Sequence, residues 1–507
     1  MGGPQVGSNS RRVFLLEHSA AIEHRPVLAS WKVSIVLLVA AITAVMLPLA
    51  QHVYLLGLVL LLGVVCIGPA WFAWQRGSLD PFAPIHVIGL IYFVYFGLGA
   101  IWAVQDPTKY AYDRYLVPYI PQAVLYCALG FIAMLWGYMG PWWKRRSTTG
   151  PAFAVPGLMF MVVPAVAGAV GYLSDAALSH SRWLGVTGPR IISGAAQLSP
   201  LFLYVWALGW LLVFSGQATK GQRRLVLFAF LPMTALILSV SMTNKSGSMT
   251  LVGMPLIALW YGRRKLPWKS LAALVLILVF VVFPVYNTFR VLDARIPQAK
   301  RLALTADIIA DWDLDDYSDR SIGVVKYRLA MINSVAVVIR DVGRWVPFAN
   351  GETIFLPTIA FFIPHFIWAD KPSFTMGRDV AETFRVVHIL DNSTRIEITV
   401  PGELYWNFDL PGIILGMALW GFVMRFFYRR YAEFEELDPV HRAIHLVLIA
   451  QWVHFGGGLA AQTVAVMRTL LMIEIYIIVA RQFGLLGWRS SRPASAVQAT
   501  VPAVMRG

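Results

Sequence analysis

The chain has 507 residues, 58% of them hydrophobic and 14% charged, with 19 Trp and 29 Phe. An average soluble domain carries roughly 25% charged residues, so this composition excludes a water-soluble globular protein and describes a polytopic membrane protein. The formal net charge is +15, but the bases sit in short runs between apolar segments, as in cytoplasmic loops, so they report membrane orientation and no nucleic-acid partner is expected.

Residues 1–31 read as a cytoplasmic segment. Glu17, His18, Glu23, His24 and Arg25 interrupt any signal-peptide core, so the first apolar run is expected to be a retained helix. A spanning helix needs about 20 mostly apolar residues. Twelve candidates occur in order: 32–50, 53–74, 84–104, 121–142, 153–173, 199–215, 225–242, 247–262, 270–288, 411–428, 443–459 and 464–481. They divide the chain into a first bundle of nine spans (32–288), a large loop (289–410), a last group of three spans (411–481) and a disordered tail (482–507).

With the N-terminus inside, the basic runs fall on one side. These are Lys144–Arg145–Arg146, Lys220 with Arg223–Arg224, Arg263–Arg264–Lys265, and Arg425, Arg429, Arg430 and Arg442. The alternation places both termini in the cytoplasm and the large loop outside. Cys66 and Cys127 each lie in an apolar run, so neither a disulfide framework nor a zinc site is expected, and no cofactor motif is present.

The loop is out of scale, since segments beyond ~15 residues in a compact protein are usually functional or structured. It holds 16 of the 27 acidic residues. Ser321–Arg340 has the pattern of an amphipathic helix, with Val324, Leu329, Ile332, Val335 and Val338 on one side. Ile354–Trp368 is apolar but broken by Pro357 and Pro364, as a re-entrant or interfacial element would be. The acidic run Asp311–Asp319 lacks the glycine and closing glutamate of a calcium loop and reads as a solvated segment.

Ionisable groups near hydrocarbon are costly and therefore candidates for function. Arg290 ends the ninth span, where a snorkelling anchor is the simpler reading. Lys245 sits in the turn Thr243–Ser246, where an anion or plain solvent would suit it. Gln451 and His454 share a helix face before Gly456–Gly458, a pattern equally suited to a polar helix contact. Glu474, near mid-span, is expected to be paired or protonated. In the loop, Phe362–Pro372 presents His365, Asp370 and Lys371 beside an apolar wedge. Glu403 adjoins Tyr405, Trp406 and Asn407, a set that suits a sugar, although an interfacial aromatic belt has the same composition.

Three motifs then resemble a known family. Leu79-Asp80-Pro81 precedes an aromatic span; Gly351-Glu352-Thr353-Ile354-Phe355-Leu356 leads to Ile363-Pro364-His365 and Trp368-Ala369-Asp370-Lys371-Pro372; and Gly402-Glu403-Leu404-Tyr405-Trp406-Asn407-Phe408 leads into a span beginning Pro411-Gly412. The chain resembles the Wzy-like O-antigen and exopolysaccharide repeat-unit polymerases of bacterial inner membranes. His365 and Lys245 stand where that family commonly has Arg. The resemblance implies an all-α, metal-independent glycosyltransferase related to the membrane-embedded GT-C transferases. It would act on undecaprenyl-diphosphate-linked oligosaccharide at the outer face of the bilayer, with a chain-length regulator protein as a candidate partner.

The chemistry of such a transfer sets its own demands. The leaving lipid diphosphate needs cations at the interface, and arginine's fork suits phosphate. Arg290, Arg328 and Arg340 are the first choices, with Lys371, Arg378 and Lys245 behind them. The acceptor hydroxyl needs a base, for which Glu403 comes first and His365 second. Two other readings stay open: an O-antigen ligase using the same donor, and a lipid-linked saccharide flippase. A flippase would be expected to line a central cavity with charges from many helices, which the apolar spans here do not supply.

Overall fold

In the computed structural model, residues 53–141, 143, 153–183, 190–240, 245–265, 268–292, 296–363, 368, 376–387, 396–433 and 438–488 are described. The chain divides into two units, Met1–Leu56 and Gly57–Gly507, and the helical bundle with its polar ends belongs to the second. The expected span 32–50 lies outside the described residues.

The fold is all-α. Among the described residues, nine helices are long and apolar enough to cross a membrane, or ten if one bent pair is a single span. They coincide with nine of the expected spans. We label the helices α1 (Val53–Gln75), α2 (Pro84–Gln105), α3 (Ile120–Met139), α4 (Leu158–Trp183), α5 (Ser199–Phe214), α6 (Lys220–Leu238), α7 (Lys245–Arg263) and α8 (Leu271–Phe289). There follow α9 (Gln298–Ala310), α10 (Leu314–Leu329), α11 (Ile332–Asp341), α12 (Glu352–Phe362), α13 (Met376–Thr383), α14 (Val400–Tyr431), α15 (Pro439–Trp452) and α16 (Gly458–Gln482). The expected spans 247–262 and 443–459 correspond to α7 and α15, which are helical but fall short of the others in hydropathy or length.

Helix α5 is apolar all round, buried along most of its length, and packs against α4, α7 and α15. That is the pattern of an interior helix. The other main seam joins α3 to α14. A Cβ on Gly137 would lie 1.9 Å from the Ala418 carbonyl oxygen, and one on Gly421 would lie 2.1 Å from that of Met134. Small residues let the two backbones touch, which is how helices gain packing energy where apolar burial alone gives little. Cys66 and Cys127 are both buried and unbridged.

The large expected loop is largely helical. Ser321–Arg340 is not one helix but the end of α10 and all of α11, bent by 46°. The break falls at Ala330, whose Cα would meet a Cβ on Gly99 of α2 at 2.9 Å, so the turn is fitted to a bare patch on a neighbouring span. Helix α14 also breaks, at Phe408–Asp409, where Asp409 has φ 57° just before Pro411. The fold-back sets Gly412 and Gly416 against Leu404.

Side chains at the helix ends gather in two sets. Asp80, between α1 and α2, accepts from Trp260 Nε1 (3.1 Å) and Tyr261 OH (2.7 Å) at the end of α7, and from Tyr428 OH (2.9 Å) near the end of α14. Tyr261 in turn pairs with His445 Nε2, midway along α15 (3.1 Å). Asp438, before α15, accepts from His441 and from the Phe153 amide, and Phe153 stacks on Trp488. Glu474 is paired, accepting from Tyr431 OH at 2.7 Å. The second set gathers the opposite ends: Tyr112 with Ser334, Asp113 with Arg340, and Glu403 with Ala460. The same ends are grouped by the charge alternation.

Candidate functional site

The second set centres on the start of α14. Thr399 caps this helix, its Oγ1 accepting the Gly402 amide at 3.3 Å, and Pro401 occupies a first-turn position that needs no donor. Glu403 follows with no exposed surface. Its Oε2 accepts the Ala460 amide (3.1 Å), so the carboxylate caps the N-terminus of α16, where the helix dipole favours negative charge. A Cβ on Gly458 (φ +82°) would come within 2.7 Å of that oxygen, so both backbone conformation and space call for glycine there. The other oxygen, Oε1, is buried with no hydrogen bond among the described residues, and Thr353 lies close to the carboxylate.

Asn407 lies one turn further along. Its Oδ1 accepts the Gly351 amide (2.7 Å), and its Nδ2 donates to Thr353 Oγ1 (2.7 Å) and to the Glu403 carbonyl (2.7 Å). The motif stretches beginning at Gly351 and Gly402, about fifty residues apart, are thereby tied into one unit. Asn407 is 1% exposed, so its amide is committed inside the protein. Replacing it with Ala strands the Gly351 amide and the Thr353 hydroxyl. We expect a loss of about 2 kcal/mol, read as a lowered Tm of detergent-solubilised protein.

On the solvent side of the Gly456–Gly458 turn stands Glu397. Its neighbours Ile396 and Ile398 are buried while Glu397 is exposed, so an extended segment points it away from the core. Its carbonyl accepts from Ser334 Oγ (2.6 Å), and two residues on, the Thr399 amide donates to the Gly456 carbonyl (2.8 Å). Surrounding protein raises the Glu397 carboxyl above the usual carboxylate range, opposed by the guanidinium of Arg328. An exposed group that is also desolvated sits in a crevice rather than on open surface.

The remaining candidates are spread over several elements. Arg328, at the end of α10, is exposed and acts on Glu397. Arg340 forms salt bridges to Asp341 (2.6 Å) and Asp113 (2.7 Å), locking α11 to the segment after α2. Arg378 pairs with Glu382 one turn along α13 (2.5 Å). Tyr405 is buried against the ring of Tyr126, and Trp406 donates to the Pro347 carbonyl (3.1 Å) with Phe384 at its edge. His454 is exposed at the turn after α15, and Gln451 is half-buried. Arg290 belongs to the helix continuing from α8 and Lys245 begins α7, but their side chains, with His365 and Lys371, lie outside the described residues. Among the described residues no group of three or more His, Cys, Asp or Glu is gathered as for a metal ion.

The structure thus brings Glu403, Asn407 and Arg328 to one end of the bundle, together with Glu397, which no sequence motif singles out. The signal for Glu397 was present as the alternation Ile396-Glu397-Ile398, which marks a half-buried extended segment. The chain matches no protein-family model, no curated protein and no solved structure. Composition and fold define a polytopic helical membrane protein.

Proposed function

We propose that the protein is a polysaccharide polymerase of bacterial inner membranes. It transfers a growing glycan from undecaprenyl diphosphate onto a lipid-linked repeat unit at the outer face. In this reading the chain has twelve spans with both termini cytoplasmic, the Glu403 end faces outward, and the architecture is of the GT-C type. The supporting observation is that the two stretches resembling polymerase motifs, Gly351–Leu356 and Gly402–Phe408, meet through Asn407.

The leaving group in such a transfer is a lipid diphosphate, and exposed Arg328 is the described cation best placed to meet it, with Arg290 and Lys371 as further candidates. Arg340 and Arg378 form salt bridges to Asp113 and Glu382 and shape the loop. Glu403 and Asn407 hold the glycine turn and the start of α12 in place around the site. His365 is kept as a candidate for contact with the acceptor hydroxyl.

The test is a profile of lipid-linked saccharides, by mass and by membrane side, in a strain lacking the gene. Single repeats gathering on the outer face with long polymer absent is the expected result. Complete polymer stranded on its lipid carrier would instead indicate a ligase, and repeats held on the cytoplasmic face a flippase.

A further inference from the structure

We propose that Glu397, a residue in none of the motifs, is the catalytic base that takes the proton of the acceptor hydroxyl; this rests on the polymerase reading. Two carboxylates flank the turn Gly456–Gly458 in different ways. Glu403 is sealed beneath it and caps α16. Glu397 lies over it, with Oε2 only 2.0 Å from where a Cβ on Gly456 would be. Glycine at 456 therefore makes room for this carboxylate.

The Glu397 backbone is fixed while its carboxylate is left available. Ser334 bonds the main-chain carbonyl, Thr399 ties the segment to Gly456, and both flanking isoleucines are buried. Among the described residues, no hydrogen bond or salt bridge engages the carboxylate itself. An exposed residue held by its main chain in a crevice, with its carboxylate unbonded among the described residues, can meet a substrate without first breaking a contact. Its raised proton affinity suits a base acting on a sugar hydroxyl better than that of a solvated glutamate would. Arg328, whose charge acts on this carboxyl, sets a cation for the diphosphate beside the proton acceptor. The Tyr112 hydroxyl bonds Ser334 Oγ (3.0 Å), the same side chain that holds the Glu397 carbonyl, so the segment after α2 helps to fix this position.

In the transfer, the acceptor hydroxyl oxygen forms a bond to the donor's anomeric carbon, and the bond from that carbon to the diphosphate oxygen breaks. Its electron pair leaves with the lipid diphosphate. The hydroxyl proton passes to Glu397 and from there to solvent.

The experiment compares full-length wild-type protein with E397Q, E397D, G456A and D307N in the deletion strain, at matched membrane levels of protein. Asp307 is an exposed residue of α9 outside the site and serves as the control. Removal of a general base costs about 10²–10⁴ in rate. E397Q should therefore lose at least about a hundredfold in polymer while single lipid-linked repeats accumulate, at wild-type Tm. E397D should recover part of the polymer, and D307N all of it. G456A keeps every charge but pushes the Glu397 carboxylate aside, and should lose at least about tenfold. Normal polymer from folded E397Q would overturn the assignment of Glu397 while leaving the polymerase reading intact. Should E397Q fold poorly, polymer from folded G456A at the wild-type level overturns it equally. If the deletion strain itself gathers no single repeats on the outer face, the polymerase reading fails and the role of Glu397 fails with it.

Discussion

Replacing Asp80 with Ala should lower the stability of the detergent-solubilised protein by roughly 4 kcal/mol, seen as a large drop in Tm and a smaller folded fraction in membranes. One carboxylate accepts from three side chains on two distant helices, Trp260, Tyr261 and Tyr428, and from the Phe82 amide of its own turn. Hydrogen bonds to a charged acceptor contribute about 1.5–3 kcal/mol each, and their sum is tempered by non-additivity and by the partial exposure of Asp80. Asp80→Asn keeps the shape but turns one oxygen into a donor facing donors, so about half that loss is expected. Because the network lies at the end of the bundle opposite Glu403, polymer yield per folded molecule should change much less than the amount of folded protein. Equal falls in both would mean that the two ends are coupled.

Nine of the twelve expected spans were legible because a membrane imposes a length rule on apolar runs, and sequence displays length directly. The grouping of helix ends was legible for a similar reason, since the basic runs at 263–265 and 425–430 mark one side. What sequence could not display was partnership over distance. Leu79-Asp80-Pro81 stood out as a motif, but its role depends on Tyr261 and Tyr428, which lie 181 and 348 residues away. The bend at Ala330 depends on Gly99 of α2, and the apolar periodicity of Ser321–Arg340 runs through it unbroken. Glu403 was found through its motif, yet burial gives it a capping role that motif chemistry did not suggest. The alternation Ile396-Glu397-Ile398 shows only that Glu397 points outward; its setting comes from Gly456, Ser334 and Arg328, supplied by three other segments.

Adding a single methyl group at Gly137 should be nearly as damaging as losing Asp80. The new Cβ would sit 1.9 Å from the Ala418 carbonyl oxygen, a backbone atom in the middle of α14 that no rotamer change can move. Relief requires α3 and α14 to separate along their seam, and overpacking of this kind costs on the order of 3 kcal/mol. Gly253→Ala is the matched control: a Cβ there meets nothing within 4 Å, so helix propensity alone predicts a gain of up to about 1 kcal/mol. Thermal unfolding of the two variants side by side should therefore move in opposite directions; a Gly137→Ala protein as stable as wild type would show that the seam is not closely packed. Gly421→Ala meets the Met134 carbonyl oxygen across the same seam at 2.1 Å and should resemble Gly137→Ala. The double variant should cost less than the two single losses together, because helices already pushed apart by the first methyl leave room for the second. Helix α14 also carries Glu403 and Asn407, and α11 with Ser334 packs against both α3 and α14. A widened seam should therefore shift the support beneath Glu397 and lower polymer yield per folded molecule, an effect that Asp80→Ala is not expected to share.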